Sequence, residues 1–204
     1  SHTHLSGTGV SDYGDILFSP TVGEVIYNNG ADGRPGYSSK FSHENESAHA
    51  GYYQVHLDDY NIDVQLTASK RVGFHQYTFP KTQYANLILD LEHRDEVLES
   101  EIHISSENEV SGFRRSNEWA TDQHVYFVAQ FSKNFKKASI AKNNLPIDEI
   151  QFNDKQLKAS FEFDTEENEQ LLVKVGISSV SIESARKNLE AEIAHWDFNK
   201  TRNE

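Results

Sequence analysis

Cysteine and methionine are both missing from these 204 residues. Without cysteine there is no disulfide, no thiolate zinc site and no cysteine nucleophile. The absence fixes no compartment, because exported bacterial proteins also do without cysteine. Methionine is missing even at position 1, and Ser1 falls inside what reads as a motif. That points to a fragment trimmed at least at its front. No apolar run reaches the roughly 18 residues that a membrane-spanning helix needs. Basic residues are outnumbered: 19 Lys and Arg face 32 Asp and Glu, for a net charge of −13. A phosphate-binding protein needs a basic face, so nucleic acid is an unsuitable partner. The surplus reads simply as solubility. Gly-x-Ser-x-Gly, phosphate-loop and His-Glu-x-x-His patterns are absent too.

What is present is alternation with a period of two. Ile62, Val64, Leu66 and Ala68 alternate with polar neighbours, as do Leu157, Ala159, Phe161 and Phe163. Similar runs hold Leu87, Leu89 and Leu91; Val125, Phe127, Ala129 and Phe131; and Leu171, Val173, Val175 and Ile177. Period two sends successive side chains to opposite faces of a sheet, so each run offers one apolar face to a core. Asp58-Asp59-Tyr60-Asn61 separates candidate strands at 52–58 and 62–69, and Asn153-Asp154 separates those at 147–152 and 156–163. Short polar turns between such runs predict hairpins. The expected fold is an all-β, antiparallel two-sheet sandwich of about ten strands. A chain of this size buries about 70% of its unfolded surface, enough for a core without metal or disulfide.

The end of the chain changes period. Ile182, Ala185, Leu189, Ile193 and Trp196 fall near one helical stripe, with Ser181 as a cap and Glu183 in the first turn. A helix is predicted over 182–195, with Trp196 packing from it. The polar tail 199–204 reads as a cut within a linker. Two stretches, 19–51 and 105–123, read as long polar loops.

Candidate functional residues concentrate at the start. His2, His4, Ser6, Gly7, Thr8, Gly9, Asp12, Tyr13 and Asp15 lie within fifteen positions. Glycine lets backbone approach a ligand closely, and histidine and aspartate hydrogen-bond hydroxyl groups with direction. The stretch fits a loop contacting sugar or another domain; it also fits a tight turn with His2 and His4 filling a strand face. A metal set of His2, His4 and Asp15 is a further possibility, but spacing pins no other ligand. In Ser42-His43-Glu44-Asn45-Glu46, two carboxylates stand near a histidine. Glu44 and Glu46 are too close in sequence to straddle a glycosidic bond, so His43 and Glu44 suit a loop ordering a binding edge. Trp119, following Arg114 and Arg115, would stack on a sugar if exposed or plug the end of the sandwich if buried. The arginines would hold hydroxyls or an acidic partner.

At these segments the sequence resembles the amino-terminal domain of glycoside hydrolase family 92. Ser1-His2-Thr3-His4-Leu5-Ser6-Gly7-Thr8-Gly9 and Asp12-Tyr13-Gly14-Asp15 carry the resemblance. It continues through Phe41-Ser42-His43-Glu44-Asn45-Glu46, Gly51-Tyr52-Tyr53, Leu57-Asp58-Asp59-Tyr60 and Arg71-Val72-Gly73-Phe74-His75. Tyr77-Thr78-Phe79-Pro80, Leu89-Asp90-Leu91-Glu92-His93, Val175-Gly176-Ile177-Ser178 and His195-Trp196-Asp197-Phe198 complete it. The resemblance implies a supersandwich of the galactose mutarotase type over 1–178, its start truncated. Residues 179–204 would be a linker helix leading to an (α/α) catalytic domain outside the chain.

The implied activity is that of an exported, periplasmic or cell-surface, calcium-dependent exo-α-mannosidase that inverts the anomeric centre of mannose-containing glycans. The active site would lie at the seam between the two domains. Its catalytic acid, its base and the calcium ligands are expected in the helical domain, and the His2–Asp15 stretch and Trp119 would face the seam. Inversion needs two carboxyl groups about 6.5–9.5 Å apart, and calcium needs roughly six to eight oxygens. Neither set can be assembled from this sequence, so the fragment alone is expected to be inactive. The alternatives are a stand-alone carbohydrate-binding or adhesion sandwich, and a single-domain metal-dependent β enzyme using His2 and His4.

Overall fold

A computed structural model describes residues 1–4 and 13–204. Fourteen described strands and two α-helices build two antiparallel sheets with helices against one of them. The smaller sheet has the order β1 (Leu17–Val22), β6 (Thr82–Asp90), β13 (Leu157–Thr165), β10 (Lys137–Lys142), β11 (Leu145–Ile147). The larger begins with β12 (Gln151–Asp154), β7 (Glu96–Ser106), β8 (Glu109–Asn117) and β9 (Gln123–Phe131). It continues through β14 (Glu169–Ser178), β5 (Val72–Phe79), β4 (Ile62–Ala68), β3 (Tyr52–Leu57) and β2 (Glu46–His49). The all-β sandwich is as the alternation predicts.

The core lies between the sheets. Leu87, Leu89, Phe161 and Phe163 point inward from the small sheet, and Val64, Phe79, Phe127, Phe131 and Val173 from the large one. Fully burying such side chains stabilises by about 1.5–3 kcal/mol each. Phe131, Phe135 and Phe161 meet with ring centroids 4.8–5.1 Å apart, at angles from tilted to edge-on. Ile88, between Leu87 and Leu89, is also buried. The segment around Tyr27 and Tyr37 lies over that outer face: Tyr27 Oη is 2.9 Å from Ser160 Oγ, and Tyr37 Oη donates to Asp90 at 2.6 Å.

Two of the expected connections need correction. The 52–58/62–69 hairpin forms, with Leu57 opposite Ile62. The second expected hairpin does not: β12 pairs with β7, whereas β13 pairs with β10 and β6. Asp154 Oδ1 accepts from the Gln156 N–H at 3.2 Å, and the chain changes sheets at that turn. The 105–123 stretch is mostly strand, not loop, because β7 and β8 close a tight hairpin with Ser106 opposite Glu109. Its polar residues run consecutively, as in Arg114-Arg115-Ser116-Asn117, so no period of two shows and sequence alone reads a loop.

The helices of the carboxy-terminal segment also differ from expectation in extent. Helix α1 (Ile182–Glu192) ends earlier than predicted, and α2 (Phe198–Asn203) occupies the expected polar tail. Asp197 caps α2 by accepting from Lys200 N–H at 3.0 Å. Both helices lie on the outer face of the large sheet, where Phe74, Val128, Ala185, Leu189, Ile193 and Phe198 form a second core. Gly176 permits this approach, since a Cβ there would fall 2.5 Å from the Ala185 carbonyl oxygen. Trp196 packs edge-on to Phe74 and lies beneath the Lys174 ammonium, 4.1 Å from the ring centre, yet stays 38% exposed.

Candidate functional site

The amino-terminal stretch folds back as a short antiparallel pair. His2 N–H donates to the Asp15 carbonyl at 2.8 Å, Gly14 N–H donates to the Thr3 carbonyl at 3.0 Å, and His4 bridges Tyr13. Ser6, Gly7, Thr8, Gly9 and Asp12 lie outside the described residues. The described part of this stretch meets a buried ion pair. Asp15 and Arg114 are both fully buried and joined through Asp15 Oδ1 and Arg114 Nη1. Asp15 Oδ2 also accepts from the Thr3 hydroxyl and the Gln123 amide, while Thr3 Oγ1 accepts from the Asp15 N–H at 2.9 Å.

Four of the five N–H groups of Arg114 have partners among the described residues. Its Nε donates to the Leu91 carbonyl at 2.8 Å, and its Nη2 donates to the carbonyls of Asp95 at 2.9 Å and His93 at 3.1 Å. Asp95 in turn accepts from Tyr13 N–H at 2.8 Å. One guanidinium thus ties β8, the bend after β6 and the amino-terminal pair together. A buried pair of this kind is stable only when every remaining donor and lone pair is engaged. The expected acidic partner of Arg114 is therefore Asp15, and Arg114 is not available to hold ligand hydroxyls. Arg115 is partly exposed and pairs with Asp122, Nε to Oδ1 at 2.7 Å.

His2 anchors the other side of the pair. Its Nδ1 lies 2.6 Å from the Ile16 carbonyl oxygen, and its Nε2 lies 2.9 Å from His75 Nε2. His75 Nδ1 lies 2.7 Å from the Tyr77 hydroxyl. Burial holds His2 down to about 3, from an ordinary 6.5, and also holds His75 well below its usual value. His4 is exposed, so the two histidines expected to share a face have different surroundings.

Trp119 is 63% exposed and does not plug the sandwich. It sits in the β8–β9 turn, four positions before Gln123, which reaches Asp15. The amino-terminal pair and this turn therefore belong to one end of the molecule. A groove of about 640 Å³ runs beside them, lined in part by Thr3, Tyr13, Arg71, Gln123, Val180 and Asn188. His43 and Glu44 lie elsewhere, in an exposed turn leading into edge strand β2, where His43 Nδ1 meets Glu46 at 2.6 Å. Sequence reading missed Thr3, Gln123, His75 and Tyr77 as parts of the site. The available signal was polar residues placed within strands that otherwise read as core.

The resemblance places the calcium ligands in the helical domain, outside these residues. Among the described residues no three His, Asp or Glu side chains converge as a metal would require. His2, grouped with His4 and Asp15 as a possible metal set, has both ring nitrogens in hydrogen bonds. Among the described residues no helix is long and apolar enough to cross a membrane.

Fold and site together define a two-sheet antiparallel sandwich domain, carrying a pinned amino-terminal pair at one end and helices on an outer face. The glycosyl hydrolase family 92 N-terminal domain matches residues 1–178, and the chain belongs to that family. The family GH92 α-mannosidase BT3965 from Bacteroides thetaiotaomicron superimposes with a TM-score of 0.94 at 33% identity. The match covers 98% of this chain and 29% of that enzyme. The same enzyme in complex with mannoimidazole gives a TM-score of 0.93 at 33% identity, over 98% of this chain and 28% of that one. The GH92 inverting mannosidase BT2199 from Bacteroides thetaiotaomicron VPI-5482 shares the fold, with a TM-score of 0.79 at 21% identity. That match covers 92% of this chain and 25% of that one. No curated protein sequence matches the chain.

Proposed function

We propose that this chain is the non-catalytic amino-terminal domain of a calcium-dependent, inverting exo-α-mannosidase, acting on α-1,2-linked mannose in exported surroundings. The observation that carries the reading is the 33% identity to an α-mannosidase along nearly the whole chain. In this reading the end bearing His4, Tyr13 and Trp119 forms one wall of an interdomain site. The acid, the base and the calcium ligands come from outside these residues. The sandwich contributes shape and hydrogen bonds, and the chemistry belongs to its partner domain.

The test compares the chain with the longer protein of which it would be part. The longer protein should release β-mannose from α-1,2-mannobiose, seen by NMR at early times. A chelator should abolish release and calcium should restore it. The 204-residue chain alone should release none. Release by the chain alone, or a longer protein inert toward α-mannosides, would overturn the proposal. Glycan-array binding by the isolated chain would favour the stand-alone carbohydrate-binding alternative.

A further inference from the structure

The contacts of His2 and His75 have a direction. A carbonyl oxygen can only accept, so the 2.6 Å contact to Ile16 requires His2 Nδ1 to donate. A neutral imidazole carries one N–H, so His2 Nε2 is then an acceptor. Its 2.9 Å partner, His75 Nε2, must donate to it. His75 Nδ1 is consequently an acceptor, and the Tyr77 hydroxyl, 2.7 Å away, donates to it. The chain of protons runs one way: Tyr77 to His75, His75 to His2, His2 to the Ile16 carbonyl.

Ring placement supports the contact between the two imidazoles. The two imidazole planes differ by 19° with centroids 4.9 Å apart. Nitrogens at 2.9 Å are closer than the roughly 3.5–4.0 Å of non-bonded ring contact, so the rings meet nitrogen to nitrogen rather than only face to face. Phe18 sits edge-on to both rings, with centroids 6.1 Å from each. Residue 73 leaves the space, because a Cβ there would fall 2.7 Å from His2 Cδ2 and 2.8 Å from its Nε2. That approach is closer than ordinary packing allows, so Gly73 is a requirement of the His2 position.

We propose that His75 and Tyr77 are positioning residues that fix His2 in its Nδ1–H form and thereby hold the amino-terminal pair in register at the candidate site. The hydrogen-bond order rests on these distances together with the neutral state that burial favours for both rings. Its consequence for saccharide recognition rests on the function proposed above.

The experiment is 15N NMR of histidine-labelled chain at pH 7, with the kinetics of the longer enzyme measured in parallel. His2 should carry its proton on Nδ1 and His75 on Nε2, with a coupling across the shared hydrogen bond. His75 protonated on Nδ1, or either ring doubly protonated, would overturn the proposal. The His75→Gln variant keeps an N–H donor and should preserve the His2 signature. The His75→Leu variant should leave His2 exchanging between tautomers; an unchanged His2 there refutes the positioning role. Tyr77→Phe removes only a hydroxyl and should keep the fold while mixing the tautomers of His75; a single unchanged His75 form would count against the chain. In the longer enzyme, His75→Leu should raise KM for α-1,2-mannobiose several-fold with kcat nearly unchanged, and His75→Gln should restore it. Intact tautomers with an unchanged KM would refute the role in recognition while leaving the domain assignment standing. An enzyme without mannosidase activity would refute that assignment, and the NMR signatures would still decide the hydrogen-bond order.

Discussion

The two ends of the chain are fastened to the same large sheet by opposite means. At the amino terminus the fastening is polar and directional: Thr3, Asp15, Gln123 and Arg114 close one network, and His2 and His75 another. At the carboxy terminus it is mostly apolar, with Ala185, Leu189, Ile193 and Phe198 on Phe74 and Val128. Polar atoms have rigid angular demands, so the first fastening specifies geometry and fails abruptly when one member is lost. Apolar burial scales with area and tolerates small shifts. The comparison teaches that placement and adhesion are separate tasks in this domain.

The largest effect should follow from cutting the ion pair. Arg114→Ala leaves Asp15 buried without its partner, which costs roughly 3–5 kcal/mol. Urea unfolding should show the loss, and Arg114→Met combined with Asp15→Asn should recover part of it. A loss below that of the helix variant described next would break the contrast between the two ends.

Leu189→Ala comes second. Its cost should fall near the lower end of the roughly 2–5 kcal/mol typical for buried leucine, because a helix on an outer face can shift to close the cavity. Hydrogen exchange should quicken in α1 and stay unchanged in residues 1–4. Equal quickening at both ends would show that the fastenings are not independent.

Acid should separate the ends next. His2 binds its proton only near pH 3 in the fold, against an ordinary 6.5, and His75 is shifted the same way. Between those values the unfolded chain holds more protons, so the contribution of neutral His2 is complete above pH 6.5 and is lost as pH falls toward 3. Each differential proton changes stability by at most about 1.4 kcal/mol per pH unit. Exchange protection of the amino-terminal pair should therefore fall between neutral pH and mild acid before that of α1 does. Simultaneous loss in both would dissolve the distinction.

The smallest effect belongs to the cap of α2. Asp197→Ala removes the acceptor of Lys200 N–H and should cost about 1 kcal/mol, read as fraying of α2 with the sandwich intact.

Much of this architecture was legible before any coordinates. Alternation in Leu157–Phe163 and in Ile62–Ala68 marks strands because the pleat has a strict period of two. The α1 stripe of Ala185, Leu189 and Ile193 was equally plain. The β12 pairing was not, because Gln151–Asp154 is four residues with no strong pattern, and its partner strand begins some fifty positions earlier. The turn at Asn143-Asn144 illustrates the middle ground. Both residues take positive φ, 52° and 62°, which suits asparagine, yet a Leu-Pro-Ile strand after them gives little sequence signal. At the site, His2, Tyr13 and Asp15 were marked by their company, while Gln123, His75 and Tyr77 lay hidden within strands.

Local order is what the sequence determined by itself: strand period, the α1 face, the acidic balance and the polar, glycine-rich opening stretch. Each depends on residues within a few positions of one another, where backbone sterics and solvent preference act directly. Tertiary structure alone decided the partners. Asp15 finds Arg114 ninety-nine positions away, and His2 finds His75 seventy-three away. A charge or an imidazole satisfies many partners in principle. Only the packing of two sheets removes water and leaves the arrangement in which Asp15 meets Arg114 and His2 meets His75.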